Sequence, residues 1–331
     1  MRMWTRPQTI VLCVIALTAF GACSFRTRPG TSAGDAQKKD PEGSKGFFGR
    51  TPPGQEPEKF WAEILTAEKH PHGQLAFAPD GTVVFWAAML EDGPDQTIFQ
   101  SAFDGRTLSR PVIAPFAAGS GNGGPAFSPD GRRLYFSAIL PAGGNPSERP
   151  TAICYVERTG SGWGKPVAIA STMDTRMTKG QVSVARSGNV YFSGRVLTEG
   201  SPGIYVCRRV GGRVLPPQKV AGPLAAAPFL VDPWLDPDER FMLFSCRFEG
   251  GPPMLTDIGI SFRQADGLWS RPLTLGGAVN TTAYERFPSL SRDGRYLFFI
   301  RSHSAGFVGD QAHFYWVDAR ILDFLTRDAL N

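Results

Sequence analysis

Histidine is scarce in this chain, four among 331 residues, and no His-Glu-x-x-His pattern occurs. That removes the commonest helix-borne zinc hydrolases. His70 and His72 stand at alternate positions with only His303 and His313 elsewhere, so they read as loop histidines, and neither a metal nor a cofactor is expected. No Lys/Arg run is present. The formal charge of +5 falls to about +2 once the N-terminal segments are set aside, which is no nucleic-acid footprint. The longest uncharged apolar run, Ile10 to Phe20, is too short for a comfortable membrane span. Cysteines number five. Those in the main body, Cys154, Cys207 and Cys246, fall within expected strands and read as buried free thiols.

Two motif matches lack the context that would give them chemistry. Gly119 to Gly124 fits G-x-G-x-x-G, but a strand and a turn follow it, so no helix N-terminus is available for a pyrophosphate. Gly30 to Gly34 fits G-x-S-x-G in a stretch with no strand–turn–helix to strain the serine.

What is present is a repeat. Leu75-AFAPDGTVVFW, Pro125-AFSPDGRRLYF, Val182-SVARSGNVYF, Pro233-WLDPDERFMLF and Pro288-SLSRDGRYLFF share one pattern. The turn residues Asp80, Asp130, Ser187, Asp238 and Asp293 recur at a spacing typical of propellers and other arrays. Each copy is a hairpin in which Pro presets φ, Asp bonds its own backbone and Gly accepts positive φ. The second strands are apolar almost throughout, as burial on both faces allows. A third strand follows around Ile98, Ile153, Ile204, Ile258 and Phe314. A Trp-x-x-Pro-like element comes next, at Leu108–Pro111, Trp163–Pro166, Val214–Pro217 and Trp269–Pro272, and its proline suits a sheet edge. Four strands make one blade. The fifth unit lacks its outer strand, while an unassigned strand, Phe60 to Leu65, precedes the first. An all-β, five-bladed β-propeller closed by that N-terminal strand accounts for both, with residues 321–331 as a short C-terminal helix.

The repeats resemble the Pro-Asp type of WD-like unit in the propeller of TolB and its periplasmic relatives. The resemblance covers residues 59–320 and implies the fold. TolB itself has six blades and an N-terminal domain, and blade three here has Arg186-Ser187-Gly188 for Pro-Asp-Gly, so no TolB-like role is implied.

Arg2 and Arg6 before the apolar run make residues 1–22 a signal peptide. Phe20-Gly-Ala-Cys23 is similar to a bacterial lipobox, which implies acylation at Cys23. Ser24 favours the outer over the inner membrane. A secreted protein or an uncleaved anchor is the alternative. Residues 23–58 are polar and Gly/Pro-rich and are expected to be a disordered tether. The reading is a monomeric, lipid-anchored, periplasmic scaffold that binds an envelope protein or glycan. No separate catalytic domain of the serine-hydrolase type is expected after Val317.

Function on a rigid ring usually sits in loops. Counting eight back from each turn residue places His72, Asn122, Lys179, Leu230 and Glu285 at one rim, the mouth, with Asp232 nearby and Arg195, Arg247 and Arg301 ending second strands. His72, Lys179, Asp232, Arg247, Glu285 and Arg301 are the candidate binding face. Their tips are expected to be exposed, so that Glu285→Ala or Arg247→Ala changes stability by only about 0.5 kcal/mol. The alternative is a polysaccharide lyase or glycosidase using Asp232 and Glu285 as its two carboxylates.

Overall fold

The computed structural model describes residues 46–331 except 67–69, 91–95, 118–120, 140–150, 161, 173–175, 199–201, 249–254, 305–311, 324 and 326–331. Cys23, most of the expected tether and Phe324 therefore lie outside the described residues.

Five four-stranded antiparallel sheets form a five-bladed propeller. The inner strands are Ala76–Phe77, Asn122–Phe127, Met177–Val184, Leu230–Leu235 and Tyr284–Leu290. The second strands, such as Val83–Met89 and Tyr296–Ser302, are buried over most of their length. The third-strand residues Ile98, Ile153, Ile204, Ile258 and Phe314 are all buried. Outer strands are only two residues long, and each starts just after its proline: Val112–Ile113, Val167–Ala168, Gln218–Lys219 and Leu273–Thr274. A proline that lacks an N–H costs nothing at that boundary.

The turns follow the sequence chemistry. The Asp130 and Asp293 carboxylates each accept from a serine hydroxyl at 2.6 Å and a backbone N–H at 3.1 Å. In all five turns the residue after the turn position has positive φ; four are glycines and the fifth is Glu239 at 58°. Blade three explains that exception. Its Ser187, Asn189 and Tyr191 donate to the Glu239 carboxylate of blade four, Tyr191 at 2.6 Å. The Arg186 Nε donates to Asp238 at 2.8 Å. The two turns that depart from the repeat thus hold each other.

Ring closure is as expected in kind and different in place. The outer strand of blade five is Glu58–Lys59, paired with Trp316 and Tyr315, and the Phe60 N–H donates to the Phe314 carbonyl at 2.8 Å. Residues Ala62–Leu65 form a single helical turn, not strand. Described residues inside the expected tether are also packed, where the tether reading has them free. Phe48 is buried and Phe47 packs beside it in the core between blades five and one, with the Trp61 indole donating to the Phe48 carbonyl at 2.8 Å. An aromatic pair in a polar stretch is enough to tie that stretch down. At the other end, Ala319–Leu322 is a 3-10 turn capped by Asp318, and Leu322 and Leu325 are buried against blades four and five. Cys154, Cys207 and Cys246 are free and buried, and burial pushes the Cys154 and Cys207 thiols up to about 11.

Candidate functional site

Inner strands begin at the mouth and end at the Pro-Asp-Gly turns, so the two faces of the ring carry different parts of the repeat. At the mouth, the expected exposed tips are not found. Lys179 is 4% exposed, Asp232 2% and Glu285 0%. The Glu285 carboxylate accepts from Thr281 Oγ1 at 2.7 Å and from Arg301 Nε at 2.8 Å. Arg301 also donates to the Val279 carbonyl at 2.9 Å. Burial holds the Glu285 carboxyl above its ordinary range, against those donors. Asp232 takes two parallel bonds from Arg286, at 2.8 and 2.9 Å. The Lys179 ammonium donates to the Met177 carbonyl at 2.8 Å. His72 Nδ1 lies 2.7 Å from Gln96 Oε1 and its ring 5.0 Å from Phe287. Burial, and then the nearby Arg286 charge, lower the His72 pKa, so it is neutral at pH 7. Arg247 is half-buried with its guanidinium 4.6 Å from the Phe229 ring. Lys179, Asp232 and Glu285 are thus held by neighbouring groups rather than presented to solvent. Asp232 and Glu285 each have their own arginine.

The reason lies one step further along each strand. Four inner strands carry a bulge at the same place, between Gly123 and Ala126, Lys179 and Val182, Val231 and Trp234, and Arg286 and Ser289. Six residues before the turn residue stand Gln74, Gly124, Gln181, Asp232 and Phe287. Gly124, Asp232 and Phe287 have φ of 65°, 55° and 57°. For a phenylalanine this conformation is a true outlier. The N–H groups so displaced are met by the preceding blade: Asp232 N–H donates to Ser193 Oγ at 2.7 Å and Phe287 N–H to Ser245 Oγ at 3.2 Å. Bulges re-aim side chains. Here they turn Asp232 within reach of Arg286 on the next blade. Gln74, 2% exposed, donates to the Pro125 and Val182 carbonyls at 3.2 and 3.0 Å. Its Oε1 and the Gln181 Nε2 are buried without partners.

Among the described residues, an open volume lies on the opposite face. An axial cavity of about 590 Å³, within the range of ligand sites, reaches inward to Gln74. Its walls include Phe127, Trp234 and Phe241, and Asp236, Asp238 and Asp293 at the turns. Each of these acids pairs with an arginine: Asp236 with Arg240 at 2.8 Å, Asp238 with Arg186 at 2.8 Å, and Asp293 with Arg295 at 2.5 Å. Burial raises Asp236 and Asp293, but Arg240 on the first, and Ser291 with Arg295 on the second, more than offset it, and both carboxyls end below their ordinary range. The repeat spacing directs attention to the mouth, because it reads the turns as structure alone. The signal available was the charge interleaved through them, Arg186, Asp236, Asp238, Arg240 and Arg292. No cluster of metal-ligating side chains occurs among the described residues.

No protein-family model matches the chain. No curated protein matches it significantly either. Among solved structures it is similar to a thermostable family-43 glycoside hydrolase, at 10% identity and a TM-score of 0.50, over 74% of this chain and 88% of that one. It is also similar to TolB from Acinetobacter baumannii, at 17% identity and a TM-score of 0.44, covering 73% of this chain. A third is the exo-β-1,3-galactanase 1,3Gal43A from Clostridium thermocellum, at 14% identity and a TM-score of 0.48, covering 75% of this chain and 58% of that one. The chain spans about half the length of TolB, 53%. At these identities the likeness is one of fold.

Proposed function

We propose that the protein is a non-catalytic, lipid-anchored propeller of the bacterial envelope that holds a protein or glycan partner on its turn face. The observation that carries this reading is the state of its acids. A glycosidase needs one carboxylic acid kept protonated near neutral pH beside a second carboxylate, both open to the sugar. The axial acids Asp236, Asp238 and Asp293 are each ion-paired. The acid with a raised pKa that the sequence nominated, Glu285, is fully buried near the other face. Fixed, paired charges around apolar walls suit recognition rather than proton transfer. The anchor rests on Phe20-Gly-Ala-Cys23.

Asp238 is half exposed on the cavity wall, so Asp238→Trp should obstruct the cavity while leaving the melting temperature nearly unchanged. Incubated with purified envelope polysaccharides and envelope proteins, the wild type should retain a partner without forming product, and the variant should lose most of that retention. Release of new sugar ends or unsaturated products would reject the reading in favour of an enzyme. The anchor is tested apart from this. Cys23→Ser should move the protein from the membrane to the soluble fraction and remove the acyl mass; an unchanged membrane fraction would mean an uncleaved anchor.

A further inference from the structure

Beside the axial cavity, between blades two and three, lies a cleft of about 620 Å³ that shares Ser128, Pro129, Val184 and Arg186 with it. Five guanidinium groups line the cleft, from Arg132, Arg133, Arg158, Arg186 and Arg209, against two carboxylates, Asp130 and Glu157. Three of the five are engaged. Arg133 donates to Glu157 at 2.7 and 3.0 Å and lies 4.5 Å from the Tyr155 ring centre. Arg158 pairs with Asp80, and Arg186 with Asp238. The other two are exposed, and the described residues offer their guanidinium groups no hydrogen bond or ion pair. They approach from different blades: Arg132 from the blade-two turn, Arg209 from the short hairpin strand Arg209–Val210 that follows the blade-three third strand. The Arg209 stem lies across Gly188, where an added Cβ would come within 2.6 Å of its Cδ, so its path toward the cleft is constrained.

We propose that this cleft binds an acidic glycan, with a carboxylated sugar seated between Arg132 and Arg209 and the next units running into the axial cavity. The inference rests on the binding reading of the turn face and narrows its partner. Planar guanidinium forks match a carboxylate in geometry and charge. The adjoining cavity selects what is attached to that carboxylate. Its polar wall carries the carboxylates Asp236, Asp238 and Asp293 together with Arg240, Arg292, Ser183 and Ser291. A wall that both accepts and donates suits hydroxyls, which do both, and a sugar presents one on most ring carbons. An acidic peptide presents one N–H per residue and sets further carboxylates against those aspartates. The Trp234, Phe241 and Phe127 side chains provide apolar surface for the faces of sugar rings.

The test is calorimetric titration of the full chain with three probes: a uronic-acid tetrasaccharide, a neutral tetrasaccharide of the same linkage, and a Glu-rich decapeptide. The uronic-acid probe should bind, and binding should weaken as salt rises to about 0.15 M and beyond. Changing both exposed arginines, Arg132→Gln and Arg209→Gln, should weaken it by about tenfold or more, with an unchanged melting curve. The neutral sugar and the peptide should bind far less. Equal binding of the neutral sugar, or an unaffected double variant, would overturn the acidic specificity; if Asp238→Trp still blocked binding, the turn-face reading would survive. Preferred binding of the peptide, with the same dependence on both arginines, would overturn the glycan class. No binding of any probe overturns the proposal, and retention of envelope partners then judges the broader reading alone.

Discussion

Glu285→Ala should destabilise the propeller by about 3 kcal/mol, measured by urea unfolding, because it strands a partner inside the protein. Removing one member of a buried pair leaves an uncompensated charge, at a cost of roughly 3–5 kcal/mol. Arg301 retains 13% side-chain exposure and two backbone carbonyls, which places the expectation at the lower end. Thr281 loses its acceptor as well. Glu285→Gln keeps the shape and one acceptor oxygen and should cost about half as much. The decisive companion is the double change Glu285→Leu with Arg301→Met. Replacing a buried pair by apolar groups of similar size is often neutral or stabilising, so this variant should recover most of the loss. A Glu285→Ala protein within about 0.5 kcal/mol of wild type would mean that the carboxylate is solvated, as an ordinary surface group. That would restore the exposed-rim picture from the repeat spacing.

Phe60→Ala should be at least as costly, about 3–5 kcal/mol. Phe60 is fully buried at the seam between blades five and one, 5.0 Å from the Phe298 and Trp316 ring centres and 6.0 Å from Phe77. Phe77 belongs to blade one, while Phe298 and Trp316 belong to blade five. Deleting the ring therefore opens a cavity beside the one blade whose strands come from both ends of the chain. Phe47 and Phe48, packed at the same seam, cannot refill it without giving up their own contacts. Phe99→Ala, in the same core but within blade one, should lower the overall stability without preferentially opening the seam. Hydrogen exchange separates the two. The Phe60 variant should lose protection first at Tyr315 and Trp316, which pair with Glu58 and Lys59. Uniform loss of protection across all blades would show that the seam is no weaker than any other interface.

The legible part of this protein is the part whose chemistry is local. A turn of Pro, Asp and Gly needs only its own residues, so Asp80, Asp130 and Asp293 announced their hairpins, and the prolines at positions 111, 166, 217 and 272 announced the outer strands. Counting those signals yields five blades and an N-terminal strand to close them, which is the observed fold. The precise closing residues were not legible. Phe60 to Leu65 is apolar enough for a strand, yet the pairing falls on the polar Glu58–Lys59, because register at an edge is chosen by where Phe60 and Trp61 fit the core.

The site was less legible, and the reason is distance along the chain. Spacing from the turn placed His72, Lys179, Asp232 and Glu285 at the mouth without saying what each would meet there. Arg301 reaches Glu285 from 16 residues away and Arg286 reaches Asp232 from 54. The bulges that make the second encounter depend on hydroxyls of the neighbouring blade, Ser193 and Ser245. The same holds at the other face, where Arg132 and Arg209, 77 positions apart in the sequence, come to line one cleft. By itself the sequence determined how many blades form and how the circle closes, since each blade repeats one short-range code. Which charged groups meet was decided only by the ring, because five inner strands converge on an axis and the side chains that share it belong to different blades.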